Sequence, residues 1–426
     1  MDVRSISAKL LRSFSPFDRL GHKDLEFLAN STRLATAKKG DQLVHIGDIQ
    51  ENSLYLLSGQ LRVIAMDGKE IAIDSRVQVP RDPISHLVPH RYEVICQSEV
   101  NYFVVSSKII QNLLAYAKDS NERASEVDIS QESLRSSVFQ DIYNDLANDD
   151  LTLPDVTNLI KEVRAPGDKA YSESENIRII MTDPVLASYY IRLANSSMLF
   201  DGNYVDTVPG SYKKLSSIGG LEQIQKIAGE ETEQIFDANI SSKLQVLWKH
   251  SIEMSVISRM LAKRIGSGLD PDVAMSLGLL QSVGMYVIYA YLYLGSAGNN
   301  ERQAQEQLTS LHTDVSKIAF NCWNYPKIYS EVVANMENPW RNTGLSADYI
   351  DVVTLARLLS YVGKQAGRDT PPVRVETLPG EIAKVPLFQK FLFDADEPKS
   401  LFEFLAVCRR HALNRQTMLV STLDVA

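Results

Sequence analysis

Cysteine is scarce in this chain. Cys96, Cys322 and Cys408 are the three in 426 residues, too far apart for metal-ligand spacing, and an odd, sparse set excludes a disulfide framework and suits a reducing compartment. A basic excess is missing too. The chain has 44 Lys and Arg against 53 Asp and Glu, a net charge of −9. Residues 1–114 are nearly balanced, with 14 basic and 13 acidic side chains, and residues 115–150 hold 3 against 9. Without a block of cations to neutralise phosphates, nucleic acid is not an expected partner. The N-terminal run MDVRSISAKLLRSFSPFDRL lacks the continuous apolar stretch and small-residue cleavage site of a signal peptide, so the expected location is cytoplasmic. Disorder is excluded for most of the length by 44% hydrophobic and 23% charged residues, an ordinary globular balance.

Charge is absent altogether from Val273 to Asn300, a stretch long enough to cross a bilayer. It contains Gln281, Ser282, Gly278, Gly284 and four tyrosines, which reads as buried core helices and no membrane span.

Local patterns change along the chain. FDRLGHKDLEFLAN (17–30) places Phe17, Leu20, Leu25 and Leu28 at helical spacing. From Thr32 short apolar runs, LYLL, LRVIAM and EIAI, alternate with Gly40, Gly47, Gly59 and Asp67-Gly68, the punctuation of an antiparallel roll or sandwich. VICQSEVNYFVV (94–105) continues the strands and SSKIIQNLLAYA (106–117) returns to helix. Residues 118–150 are acidic with helical tendency and read as a connector and hinge. Beyond them helix starts recur at Pro154-Asp155, Asp183-Pro184 and Asp270-Pro271, the last two pairing an Asp cap with Pro at the first helical position. LWKHSIEMSVISRMLAKRI is apolar at 248, 252, 256, 257, 260 and 261 and ends in Lys263, Arg264 and Gly266, as helix C-termini do. The expected fold is α+β and multidomain, an N-terminal antiparallel β-roll with flanking helices (1–117), the acidic connector (118–150) and an all-α bundle (151–426).

KKGDQLVHIGD…LYLLSGQLRVIAMDGKEIAI resembles the cyclic-nucleotide-binding domain, with Gly40-Asp41, Gly47-Asp48 and Ser58-Gly59 at the turns that build that family's roll. The family's phosphate cassette uses a Gly-Glu pair and an Arg at a short helix N-terminus, where an anion meets a fork of donors. Here the stretch is VQVPRDPISHLVPHRYEVIC. It has no glycine, and Asp82-Pro83 stands where Gly-Glu would fall, with Pro83 removing an amide donor. Ser85 and Arg91 are the residues left to meet a ligand, His86 and His90 read as loop residues, and an ordinary cyclic nucleotide is not expected to bind.

LPDVTNLIKEV, MTDPVLASYYIRLANSS, KKLSSIGGLEQIQKIA, LWKHSIEMSVISRMLAKRIG and DPDVAMSLGLLQSVGMYVI, in this order, resemble the HDOD family, whose bundle is related to the HD phosphohydrolases. Asp183-Pro184, Leu193-Ala194-Asn195-Ser196, Trp248, His250-Ser251 and Gly278-Leu279-Leu280 match its hallmarks. The resemblance implies three HD-type metal positions, a distal His, a His-Asp pair and a later Asp, where a metal would activate water. His250 stands at the first, but Gln281-Ser282 replace the His-Asp pair, and an amide and a hydroxyl are far poorer ligands. His312 and Trp323…Pro326 resemble the family's later helix; the paired histidines that often follow are absent.

The expected function is therefore non-catalytic, a bacterial signal-transduction protein working through protein–protein or small-ligand contacts. Its partners would be proteins of a signalling pathway, or further copies of itself in a homo-oligomer. No catalytic residue, metal or cofactor is expected. Two other readings stay open, a divergent metal-dependent phosphodiesterase and a cyclic-nucleotide-responsive transcription regulator. No basic recognition helix follows the roll to support the second.

Overall fold

The computed structural model describes residues 6–49, 51–77, 81–85, 89–116, 120–148, 151, 153–154, 172–196, 198–217, 238–266, 268–294, 301–341, 344, 346–362, 364, 386–391, 393 and 398–423. The chain divides into two compact units, Met1–Asp119 with Ser196–Asn203, and Ser120–Asn195 with Tyr204–Ala426.

The first unit opens with helices α1 (Ala8–Leu11) and α2 (His22–Ser31), separated by a 3-10 turn at Phe17–Arg19. The helical spacing of 17–30 is thus split, because Gly21 is extended at ψ 164° and begins α2 afresh. Seven strands follow: β1 (Leu34–Ala37), β2 (Gln42–Val44), β3 (Asn52–Ser58), β4 (Gln60–Ala65), β5 (Glu70–Asp74), β6 (Tyr92–Cys96) and β7 (Val100–Ser106). They form two antiparallel sheets, β1-β7-β3 and β2-β6-β4-β5, with Leu34 opposite Phe103 and Leu61 opposite Cys96. Helix α3 (Ser107–Tyr116) closes the series.

Val44, Leu54, Leu56, Leu61, Val94, Cys96 and Val100 fill the roll's interior. Tyr55 stacks on Phe103 at 4.8 Å, Phe14 meets that ring edge-on at 5.2 Å, and the Tyr55 hydroxyl donates to the Ser15 carbonyl at 3.0 Å. Gly59 needs to be glycine twice over. Its φ is +110°, and a Cβ would lie 2.5 Å from the Glu99 carbonyl oxygen, a conformation and a clearance other residues do not tolerate.

The second unit is helical: α4 (Ser120–Ser125), α5 (Gln131–Leu134), α6 (Ser137–Ala147), α7 (Glu173–Ile180), α8 (Pro184–Ala194), α9 (Val208–Ser217), α10 (Ala238–Ile265), α11 (Pro271–Leu280), α12 (Val283–Leu294), α13 (Glu301–Cys322), α14 (Lys327–Asn335), α15 (Tyr349–Tyr361), α16 (Pro386–Gln389) and α17 (Pro398–Leu423). The Asp-Pro starts at α8 and α11 form as the sequence implies. Asp183 accepts from the amides of Val185 and Leu186, Asp270 accepts from that of Asp272, and Gly266 ends α10 at φ +70°. Asp155, most of LPDVTNLIKEV, most of KKLSSIGGLEQIQKIA, the Pro-rich run before Pro386 and His86 lie outside the described residues.

Two boundaries differ from the sequence reading. The acidic stretch is not a separate connector, since from Ser120 onward it belongs to the helical unit. Phe139, Ile142 and Leu146 of α6 are buried, and Asp314 of α13 accepts from the Ser130 amide at 3.0 Å and the Ser133 hydroxyl at 2.8 Å. On α6 Asp141 is exposed, while Asp145 accepts a hydrogen bond from the Tyr291 hydroxyl of α12. Conversely, residues 196–203 group with the first unit, where the Met198 carbonyl accepts from Asn112 Nδ2 at 3.0 Å. Within the apolar stretch Pro271–Leu292, residues 273–290 are all buried inside the helical unit, so its hydrophobicity belongs to the core.

Candidate functional site

The glycine and aspartate turns of the roll are structural. The Gly40 amide donates to Cys96 and that of Gly47 to His90, while Asp41 and Asp48 accept from the amides of Lys38 and His45. In the cassette stretch, Ser85 is 2% exposed, bridges Leu54 and hydrogen-bonds through its hydroxyl to His90 Nδ1 at 2.7 Å. Arg91 is exposed. Ser85 therefore spends its hydroxyl within the protein, while Arg91 stays at the surface.

In the bundle, His250 lies on α10 and is 3% exposed. Among the described residues nothing hydrogen-bonds to its Nδ1. Burial first, then the Lys364 and Arg357 charges, push its pKa down to about 3, so the ring is neutral near pH 7. Gln281 and Ser282, both buried, join α11 to α12, and Gln281 Nε2 donates to Ser282 Oγ. That bond ties the Gln281 amide nitrogen to the Ser282 hydroxyl. Beside His250, Ser251 Oγ lies 3.3 Å from the Tyr286 hydroxyl.

A divalent ion would find one imidazole, an amide and a hydroxyl here, a set that does not fit it. Among the described residues no three His, Cys, Asp or Glu side chains gather as a metal-binding group. The other hallmark residues act as tethers. Trp248 Nε1 donates to the Thr182 carbonyl at 2.7 Å, and Asn195 exchanges hydrogen bonds with the Val205 backbone at 2.7 and 2.8 Å.

His312, on α13, is buried and begins a polar chain that runs through the exposed Glu337. Its Nδ1 faces the Leu308 carbonyl at 3.1 Å and its Nε2 lies 3.4 Å from Glu337. Glu337 in turn pairs with Arg357 at 2.9 Å, Arg357 lies over the Tyr361 ring, and Tyr361 meets His250. A second interior cluster joins Glu253 of α10 to Lys364 and to Arg409 of α17 at 3.0 Å.

Sequence reasoning missed Glu253, Glu337, Arg357 and Tyr361. One signal was available: Glu253 stands four residues before Ile257 and three after His250 on an otherwise apolar stripe, where a carboxylate must find a cation. Arg357, Glu337 and Lys364 come from distant segments and left no comparable mark.

No curated protein matches the chain. Among solved structures, an HDOD domain protein of unknown function from Geobacter sulfurreducens is 18% identical, covering 68% of this chain and 95% of that one at a TM-score of 0.30. A virulence factor from Campylobacter jejuni is 15% identical, covering 60% and 94% at 0.42. The sensor domain of the transcriptional regulator DNR from Pseudomonas aeruginosa is 16% identical, covering 30% and 98% at 0.23. Residues 151–339 match the HDOD domain, and with the cap at Asp183 and the tethers at Asn195 and Trp248 in place, that part of the chain is an HDOD domain.

Proposed function

We propose that this is a non-catalytic regulatory protein of cytoplasmic signal transduction, whose roll and HDOD domain act by binding a protein or small ligand. The single observation behind this reading is the state of the HD positions. Gln281 and Ser282 are hydrogen-bonded to each other, and His250 is a neutral, buried base that belongs to no group of three His, Cys, Asp or Glu side chains among the described residues. Catalysis by a metal-activated water needs at least three such donors on an open site.

A regulatory role needs a ligand or partner that prefers one of two states of the protein, because binding shifts an equilibrium only by its differential affinity. The coarser role, signalling, is what an HDOD domain implies; the absence of turnover is the finer claim. The test is metal content and hydrolysis. Full-length protein purified after Mn, Fe or Ni supplementation is expected to hold well under one equivalent of metal and to leave cyclic mono- and dinucleotides intact. Stoichiometric metal, or turnover abolished by a chelator, would overturn the proposal.

A further inference from the structure

The roll has one edge that nothing blunts. In the sheet β2-β6-β4-β5 the last strand, β5, pairs with β4 alone, in an unbroken antiparallel register from Glu70 to Asp74. Sheet edges invite pairing with other chains, and proteins protect them by brevity, bulges, charge or cover. The other three edges of the roll follow that rule. β2 is three residues long with an irregular register, β3 is covered where Leu54 hydrogen-bonds to Ile84 and Ser85, and β1 exposes only Thr36. On β5, Glu70, Ile71 and Ala72 are exposed in succession, Ile71 by 63%. Ile71 stands opposite Val63, which belongs to the roll's core, so it carries the core's apolar face out past the edge. Met66, in the turn before β5, is 72% exposed.

Two hydrogen bonds fix which backbone groups of β5 are free. The Ala65 amide donates to the Lys69 carbonyl at 2.9 Å at one end of the hairpin, and the Ser75 amide donates to the Gly59 carbonyl at 3.1 Å at the other. Bonded and non-bonded pairs alternate along an antiparallel ladder, so Val63 with Ile71 and Leu61 with Ile73 are the bonded pairs between those ends. The amides and carbonyls of Glu70 and Ala72 therefore face away from β4. Among the described residues no hydrogen bond from outside the ladder reaches them. The Asp74 carbonyl, by contrast, already accepts from the Val77 amide at 3.0 Å.

We infer that β5 is a self-association edge, on which a second copy of this chain pairs antiparallel about a two-fold axis at Ile71. In that register Glu70 lies opposite Ala72 of the second copy, and every new backbone bond comes from a free group. The two Ile71 side chains meet at a non-bonded pair, where cross-strand neighbours come closest, and cover each other. Lys69 lies opposite Ile73, so no like charges are directly opposed. Centring the axis on Ala72 instead would set Glu70 against Asp74, a destabilising pair, and would draw on the Asp74 carbonyl that Val77 has taken. An extended segment of another protein could add to the same edge, but the strand's own sequence is what matches it position by position. The pairing is short, so the dimer is weak and concentration-dependent. The inference does not rest on the absence of catalysis, because β5 carries none of the HD positions.

The test is sedimentation of the full chain, with cysteine cross-linking to fix the register. Wild-type protein is expected to be monomeric at about 1 μM and dimeric at about 100 μM. Ile71→Lys, at an exposed position, and Ala72→Pro, whose missing amide faces away from β4, should each weaken the dimer at least about tenfold. On mild oxidation Ile71→Cys should form an intermolecular disulfide, because Cα atoms at a non-bonded pair on the axis lie about 4.5 Å apart. Ile73→Cys should not, since its two copies would stand about 14 Å apart. The native cysteines are all buried and leave the introduced thiol as the reporter. A chain still monomeric at about 100 μM, a dimer indifferent to both substitutions, or equal cross-linking at the two cysteine positions would each overturn the inference. So would assemblies larger than a dimer, which a closed two-fold pairing does not build.

Discussion

The His250 and Tyr361 rings lie 5.8 Å apart, tilted by 43°, and neither His250 Nδ1 nor the Tyr361 hydroxyl has a hydrogen-bond partner among the described residues. Two polar atoms left unsatisfied in the interior are a standing cost, and one of them titrates.

That titration has a definite sign. The imidazole is held near pKa 3 in the fold, against 6.5 in the open chain. Below pH 6.5 the unfolded state therefore carries a proton that the native state refuses, and stability falls as pH drops toward 3. The slope attributable to this group is about 1.4 kcal/mol per pH unit. Melting temperatures taken from pH 8 to pH 4 should show a shallower acid limb for His250→Leu than for wild type, with the two proteins within about 1 kcal/mol at pH 8. Parallel limbs would show that another group sets the acid response.

Glu253 is 5% exposed and holds Lys364 and Arg409 together. Replacing it by Gln leaves two cations facing a neutral amide, at a cost of about 3 kcal/mol, the lower end for an interior pair because Arg409 is partly solvated. Helix α17 should loosen first. Cys408 on that helix is fully buried, and burial with the Glu253 charge pushes its thiol up to about 12, so it resists alkylation. Glu253→Gln is expected to let Cys408 react with iodoacetamide under native conditions, while wild type stays unmodified.

Close helix contact depends on two glycines. A Cβ on Gly278 would stand 2.5 Å from Ser258 Oγ and 2.7 Å from the Met254 carbonyl. On Gly284 it would strike the His312 carbonyl oxygen and come 2.8 Å from the Ser316 amide nitrogen. Because the obstacles include backbone, they cannot simply rotate away. Gly278→Ala and Gly284→Ala should each lose about 3 kcal/mol in urea unfolding, the upper range for overpacking by one methyl group.

Asp183 is fully buried and accepts two amide hydrogen bonds at the start of α8, at 2.8 and 3.0 Å. Asp183→Ala removes the cap and strands both donors away from water, for about 2 kcal/mol. The urea midpoint should fall with an unchanged slope; a midpoint within error of wild type would mean water reaches the helix end.

Much of this was legible in the residues. Gly-Asp turns with short apolar runs marked the strands, because a strand ends where φ must become positive, as at Gly40, Gly47 and Gly68. Asp-Pro pairs marked helix starts for an equally local reason. What stayed hidden was non-local. Nothing in ISQESLRSSVFQDIYNDLA says that Ser130 and Ser133 meet Asp314, 181 positions beyond Ser133, so an acidic amphipathic helix passed for a spacer.

The docking of α5 and α6 against α13 has a practical consequence for anyone trimming the gene. A fragment cut to the family borders, 151–339, would strip Asp314 of its serine donors, leave the apolar bed of Phe139 open to water and discard the lysine and arginine that neutralise Glu253. The matched stretch is shorter here than the unit these contacts join, and an expression clone of the helical half should start no later than Ser120.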